Sequence, residues 1–331
     1  MLRLISMGYA ASTWSSYQTA WWSYRTFCAH YNKPATLPIP VESLAEYINY
    51  LSMWRKLQIK TIRGYLSALK VLHFLNWFTK KEVKAVFSHF VVTTSLNGIE
   101  HINHMSEKDS NPRKVFSYPA LKLLGHGLLE QGFGDFDLQV IWTTCVLAFW
   151  GSFRMSELIA SGHKDYQKCN ALTWGKIFKS EGNQITVSIK FPKSMTQGTS
   201  NAVDVYKCLE TIYCPIMQLS KLFQMAKSLK VVEPTSFVFQ LESGKPLTMP
   251  QLNRIIESVM SKFFDGNTKF SCHSFRAGLP AWMAAQPHMF DEQEIKVIGR
   301  WSSNAFLHYT RLSGIAREVA IHKVLDNMPN R

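Results

Sequence analysis

The sequence predicts a mainly α-helical chain of two domains, the first helical throughout and the second combining helices with a small antiparallel sheet. Three observations predict it. Over the first ~105 residues apolar side chains recur at helical spacing, without strand alternation. One later stretch, QITVSIKFPKS, alternates with period two. Helical patterning then resumes from Gln251 onward. A chain of 331 residues has room for two cores.

The elements follow in order. In STWSSYQTAWWSYRTFCAHY, Trp14, Tyr17, Trp21, Tyr24 and Cys28 form one helical stripe. After a proline-bounded turn, Val41, Leu44, Ile48 and Leu51 mark a second helix. A third carries Ile62, Tyr65, Leu66, Leu69 and Leu72, with Arg63, Ser67 and Lys70 on its opposite face and Lys56 and Lys60 just upstream. The polar stretch from Asn97 to Ser117 reads as an interdomain linker, its break placed at 106–117 between domains 1–105 and 118–331. LQVIWTTCVLAFWG is an apolar helix that Gly151 can terminate. In the alternating stretch Ile185, Val187, Ile189 and Phe191 share a face, and the strand ends at Pro192. NAVDVYKC reads as its return strand, and TSFVFQLESGKPLT as a further short strand and turn. Ile315, Val319, His322 and Val324 or Leu325 outline an amphipathic tail helix at about 314–327.

Composition narrows the function classes. Lys plus Arg number 37 against 23 acidic residues, a net charge of +14, which points to a polyanionic partner, nucleic acid first. The longest uncharged stretch, Leu138 to Phe153, contains Gln139, Thr143, Thr144 and Ser152 and is shorter than a membrane span of ~20 apolar residues. With no signal-peptide pattern, the expectation is an intracellular protein, associated with nucleic acid as the first candidate partner and binding no membrane. Its compartment would be the nucleus in a eukaryote, the cytoplasm or nucleoid otherwise. The six cysteines form no C-x-x-C pair, and His101 and His104 have no matching partners at zinc-site spacing, so reduced thiols and no metal centre are expected. Lys56, Lys60, Arg63, Ser67 and Lys70 make a basic, hydroxyl-bearing surface of the kind phosphate contacts require; the alternative is a solvated helix face.

Four segments of the second domain carry the candidate chemistry. GSFRMSEL contains Arg154 and, three residues on, Glu157; IKFPKS contains Lys193; HSFR contains His273 and Arg276 at i, i+3; GRWSSNAFLHYTR contains Trp301 and Tyr309. Singly, each has an ordinary explanation: a surface ion pair, a turn lysine, a solvated helix face, a packed tyrosine. Together they suit phosphodiester cleavage. Guanidinium forks match phosphate oxygens and stay charged at any relevant pH. A tyrosine hydroxyl attacks a polarised phosphate, a lysine can protonate the leaving oxygen, and His and Trp N–H groups add hydrogen bonds.

The order Arg154, Lys193, His273-x-x-Arg276, Trp301, Tyr309 resembles the tyrosine recombinases, the phage-integrase family. The resemblance spans nearly the whole chain and is nearer the integrases of eukaryotic mobile elements of Crypton or DIRS type. It implies a helical core-binding domain followed by an α+β catalytic domain. It also implies that Arg154, His273 and Arg276 bind the scissile phosphate and that Tyr309 forms a 3′-phosphotyrosyl link. Lys193 matches the family's hairpin lysine, with Lys190 the alternative, and Trp301 stands where most members have a second histidine. Glu157 is placed as a supporting residue. Two departures stand out: Pro280 would interrupt the helix bearing His273 and Arg276 if it lay inside it, and the Trp301–Tyr309 gap is a residue short of many bacterial members.

The resemblance therefore implies a site-specific DNA recombinase or integrase acting on double-stranded DNA, without metal, ATP or other cofactor. It would work as a homo-oligomer, a dimer per site and a synaptic tetramer, and the tail helix would dock on a neighbouring subunit or on its own domain. No G-x-x-x-x-G-K-[ST] motif occurs. The alternatives are a DNA-relaxing enzyme of type IB topoisomerase kind, a catalytically retired DNA-binding protein of the same fold, and a helical structural protein.

Overall fold

A computed structural model of the chain describes residues 11–106, 114–162, 171–179, 183–189, 202–265, 268–284, 286 and 289–301. It divides into two compact units, Met1–Ser110 and Asn111–Arg331. Lys190, Phe191, Pro192, Lys193, Tyr309 and the 314–327 tail lie outside the described residues.

The described part of the first unit is helical: α1 (Ala11–His30), α2 (Val41–Asn49), a π-helical turn (Tyr50–Trp54), α3 (Ile59–Leu75), α4 (Lys80–Phe87) and α5 (Phe90–Ser106). Its centre is aromatic. Tyr24, Phe27 and Tyr47 are fully buried, and the Tyr47 ring lies 5.3 Å from each of the other two. Leu44, Ile48 and Leu51 of the second segment and Ile62, Leu66 and Leu69 of α3 close around them. The buried face of α1 is Ala20, Tyr24, Phe27 and Cys28, while Trp14, Tyr17 and Trp21 are only half-buried, so the expected stripe holds at its C-terminal end. The expected linker is corrected: Asn97–Ser106 belongs to α5. Val92, Leu96 and Ile99 continue an i, i+4, i+7 stripe through this polar stretch, and the stripe packs on the core while Asn97, Gly98 and His101 face solvent.

The second unit is organised around α7 (Asp135–Trp150), buried on all sides from Gln139 to Phe149. This explains a segment apolar all round. Its polar residues find partners inside: Gln139 Nε2 donates to Thr143 Oγ1 and to Gln218 Oε1, both at 2.9 Å, and Thr144 Oγ1 donates to Val140 O at 2.8 Å. No helix among the described residues is long and apolar enough to cross a membrane. Around α7 lie α6 (Tyr118–Leu129), α8 (Met155–Leu158), α9 (Pro215–Ser228), α10 (Met249–Met260), α11 (Cys272–Arg276), α12 (Gly278–Ala284) and α13 (Glu292–Ile298). The sheet is antiparallel, in the order β1 (Ile177–Lys179), β2 (Gln184–Ser188), β3 (Ala202–Tyr206). Val187 pairs with Ile177 and Val203, and Ile185 with Val205. Ile185, Val187, Val203 and Val205 are the buried face of the strands the alternation predicts, β2 and β3. β1 is too short to show a period. The TSFVFQLESGKPLT stretch forms no strand: Phe237 and Gln240 each make a single isolated bridge, and Gly244 turns the chain at φ +78°.

Pro280 does not interrupt the helix that carries His273 and Arg276. That helix ends at Arg276, and Pro280 falls in the first turn of α12, where a missing N–H breaks no helical bond.

A histidine sits inside the first unit's core. His73, fully buried on α3, accepts from the Ile39 N–H at Nε2 (3.0 Å), and its Nδ1 lies 2.8 Å from Leu69 O. These two contacts define a neutral ring with the proton on Nδ1. Burial pushes the imidazole below its ordinary value, against a smaller upward pull from the Leu69 carbonyl. Protonation would abolish the acceptor and orphan the Ile39 amide. Because the unfolded chain takes up this proton more readily, the contribution is present above the ordinary histidine pKa and lost as pH falls through it. Urea unfolding should therefore show stability dropping from about pH 7.5 to about pH 5.5. In His73→Gln that drop should shrink, and an unchanged drop would place its source elsewhere.

Candidate active site

Two helix ends build the site. Helix α7 ends as Gly151-Ser152-Phe153: Phe153 N bonds to Ala148 O at 3.1 Å, and Ser152 N bonds to Phe149 O at 3.3 Å. Helix α13 ends the same way as Gly299-Arg300-Trp301: Trp301 N bonds to Lys296 O at 3.0 Å, and Arg300 N bonds to Val297 O at 2.9 Å. These paired bonds are Schellman terminations, which place a left-handed residue just past the helix, usually glycine. Here the left-handed residues are Ser152 (φ 45°) and Arg300 (φ 52°). Each costs about 1 kcal/mol relative to glycine. The glycine before each serves close packing. A Cβ on Gly151 would lie 2.1 Å from the Phe153 ring, and one on Gly299 would lie 2.1 Å from the Trp301 ring. Each aromatic folds back over its glycine.

These turns bring together residues from distant segments. Arg154 is the N-cap of α8, and Glu157 is its third residue. The buried Glu157 carboxylate accepts from Arg154 N (2.9 Å), Arg154 Nη1 (3.0 Å) and Arg300 Nη2 (2.7 Å). The Ser152 carbonyl accepts from Arg276 Nη1 (2.7 Å) and Arg300 Nη2 (2.9 Å). Arg276, 4% exposed, also donates through Nη2 to Gly299 O (3.0 Å) and Arg300 O (3.4 Å). Its guanidinium lies over the Trp301 ring at 5.9 Å, and that of Arg300 over the Phe153 ring at 5.1 Å. Burial lowers the Arg300 pKa, the Glu157 carboxylate opposes this, and the Arg154 charge adds to the lowering.

The structure thus brings Arg154, Glu157, Arg276 and Trp301 into one cluster, and Arg154 with Glu157 is not a surface pair, since Glu157 is buried. His273 stands on α11 with Arg276 but is exposed. Arg300 is the residue that sequence reading missed. The one sequence signal for it is the expectation that the Trp301–Tyr309 gap is a residue short of many bacterial members of the resembled family, since Arg300 is one residue further from Tyr309. Among the described residues the cluster holds three guanidinium groups and one carboxylate, an arrangement suited to an oxyanion. None of these residues lines the cavity of about 680 Å³ bounded by Tyr118, Trp150, Cys208, Glu210 and Trp282. No group of side chains suited to a metal ion occurs among the described residues.

In the first unit, Lys60, Arg63, Ser67 and Lys70 run along one flank of α3, with Lys70 half-buried and the others exposed. Arg63 is paired with Glu100 of α5 at 2.7 Å. Lys56 stands exposed in the left-handed turn (φ 47°) that ends the π-helical segment.

Ser152→Gly keeps the carbonyl, relieves the left-handed strain and removes a buried hydroxyl that has no partner. It should raise the unfolding free energy by about 0.5–1 kcal/mol in a denaturant titration; a loss would contradict the strain argument. Glu157→Ala leaves the Arg300 cation buried without its carboxylate and should cost about 3 kcal/mol in the same assay. A loss below about 1 kcal/mol would mean that the carboxylate does not organise the cluster.

No family model and no curated protein matches the sequence. Solved structures do match it. XerH site-specific recombinase bound to a palindromic difH substrate, a post-cleavage complex, is similar at TM-score 0.59 and 13% identity, over 93% of this chain and 78% of that one. A lambda integrase dimer bound to a COC′ core site is similar at TM-score 0.57 and 13% identity, over 94% and 92% of the two chains. A lambda integrase tetramer bound to a Holliday junction is similar at TM-score 0.57 and 11% identity, over 92% and 73%. These matches take in most of the chain, helices and small antiparallel sheet together: the chain has the tyrosine-recombinase fold.

Proposed function

We propose that the protein is a DNA strand transferase, a site-specific recombinase or integrase. The observation that carries this reading is the meeting of Arg154 and Arg276 at the Ser152–Glu157 turn, although Arg276 and Ser152 are 124 residues apart in sequence. In this reading Arg154 and Arg276 bind the nonbridging oxygens of the scissile phosphate. His273 and the Trp301 indole N–H add hydrogen bonds. The Tyr309 hydroxyl gives its proton to solvent water as its oxygen attacks phosphorus. The new bond joins that oxygen to the 3′-phosphate, and the phosphorus–5′-oxygen bond breaks. Lys193, or Lys190, gives the leaving 5′-oxygen its proton. Attack by a 5′-hydroxyl on the phosphotyrosine reverses these bonds and reseals the strand. The bond energy is kept in the protein–DNA link, so neither ATP nor a metal is required.

Binding to duplex DNA rests on the +14 charge, with Lys56, Lys60, Ser67, Lys70 and, on releasing Glu100, Arg63 as phosphate contacts. Assembly as dimers and then a tetramer on paired sites is supported by the dimeric and tetrameric DNA complexes among the similar structures. The mobile-element setting rests on the sequence resemblance alone.

The test is adduct trapping on a random-sequence library of nicked duplexes in EDTA without ATP. The wild-type chain should form a covalent adduct that maps to Tyr309. Tyr309→Phe should form none while still binding DNA, and Arg154→Ala and Arg276→Ala should each cut adduct formation by at least about 100-fold. An undiminished adduct in Tyr309→Phe, or a requirement for metal, would overturn the mechanism.

A further inference from the structure

Arg300 is held on one side only. Its Nη2 bonds both Glu157 and the Ser152 carbonyl. Its Nε and Nη1, both buried, have no hydrogen-bond partner. Three N–H bonds of a cation are therefore removed from water without an acceptor, an arrangement that calls for an incoming one. The neighbours indicate which. Through the two oxygens of Glu157, Arg300 sits beside Arg154, and through the shared Ser152 carbonyl it sits beside Arg276. The residue also stands at a left-handed helix terminus where glycine would be easier, so the position is occupied for its side chain. A neutral acceptor such as a carbonyl would satisfy the hydrogen bonds, but a phosphate oxygen also answers the positive charge.

We propose that Arg300 is a third phosphate-binding arginine of this site, taking an oxygen of the scissile phosphate through Nε and Nη1 while Nη2 stays on Glu157 and Ser152. The inference rests on the strand-transfer reading above. It makes the phosphate pocket a set of three fixed guanidinium groups that share one carboxylate and one carbonyl. Trp301, the next residue, packs on Arg276.

A duplex recovered from the adduct library separates the possibilities, prepared with an ordinary scissile phosphodiester or with a neutral methylphosphonate there. A cation that binds a charged oxygen loses its importance when that oxygen becomes a methyl group, whereas a residue needed only to hold Glu157 does not. Arg300→Ala should slow adduct formation by about 100-fold on the phosphodiester and by less than about 10-fold on the methylphosphonate. Arg300→Lys, which keeps a charge, should lose about 10-fold on the phosphodiester and recover on the methylphosphonate. Thermal melting of both variants reports folding, and if Arg300→Ala does not fold, Arg300→Lys alone decides. An equal loss on both substrates, or no loss on either, overturns the role assigned to Arg300 and leaves the recombinase reading standing. A wild-type chain that forms no adduct overturns that reading and this one with it.

Discussion

One buried carboxylate organises the site. Glu157 accepts the backbone and side chain of Arg154 and the side chain of Arg300, so a single charge sets two guanidinium groups that would otherwise repel each other. Cations this close are tolerated only when a counter-charge and good acceptors are held rigidly. The Ser152 carbonyl supplies the second fixed point, shared by Arg276 and Arg300. Removing either anchor would release the donors from a common geometry.

Those anchors are rigid because two helices end alike. Glycine, a left-handed residue and an aromatic ring folded back over the glycine close both α7 and α13. The first turn presents the Ser152 carbonyl, and the second presents the Gly299 and Arg300 carbonyls and the Arg300 guanidinium. Backbone strain of this kind persists where surrounding structure enforces it, here the buried Gln139–Phe149 stretch of α7 and the ring contacts of Phe153 and Trp301. The site's precision thus derives from the core helix rather than from the loops beside it. The first unit obeys a similar economy: an aromatic centre and one neutral histidine fix α3, whose outer flank carries the basic residues.

Much of this was legible in the sequence. Helical stripes, the alternating β2 and its return strand follow from side-chain periodicity, which records which face meets the core. The ordered set Arg154, Lys193, His273, Arg276, Trp301 and Tyr309 follows from residue type and chain order, and of these Arg154, Arg276 and Trp301 meet in the cluster around Glu157 and the Ser152 carbonyl. Periodicity failed where its signal was diluted or too short. Asn97–Ser106 carries enough polar residues to read as linker, yet it continues a helix whose Val92, Leu96 and Ile99 pack on the core, and β1 is only three residues long.

Net charge, the helical class and the candidate polar residues are determined by the sequence itself, because they depend on residue type and spacing. Contacts between residues distant in sequence come from the packed fold alone. That Glu157 is buried rather than a surface partner, that Arg276 is held by backbone carbonyls, and that Arg300 joins the cluster all depend on two helix ends meeting in space. A left-handed arginine beside a tryptophan has no periodic signature. Its role arises from long-range contacts, and those form only once the core that places α7 and α13 has packed.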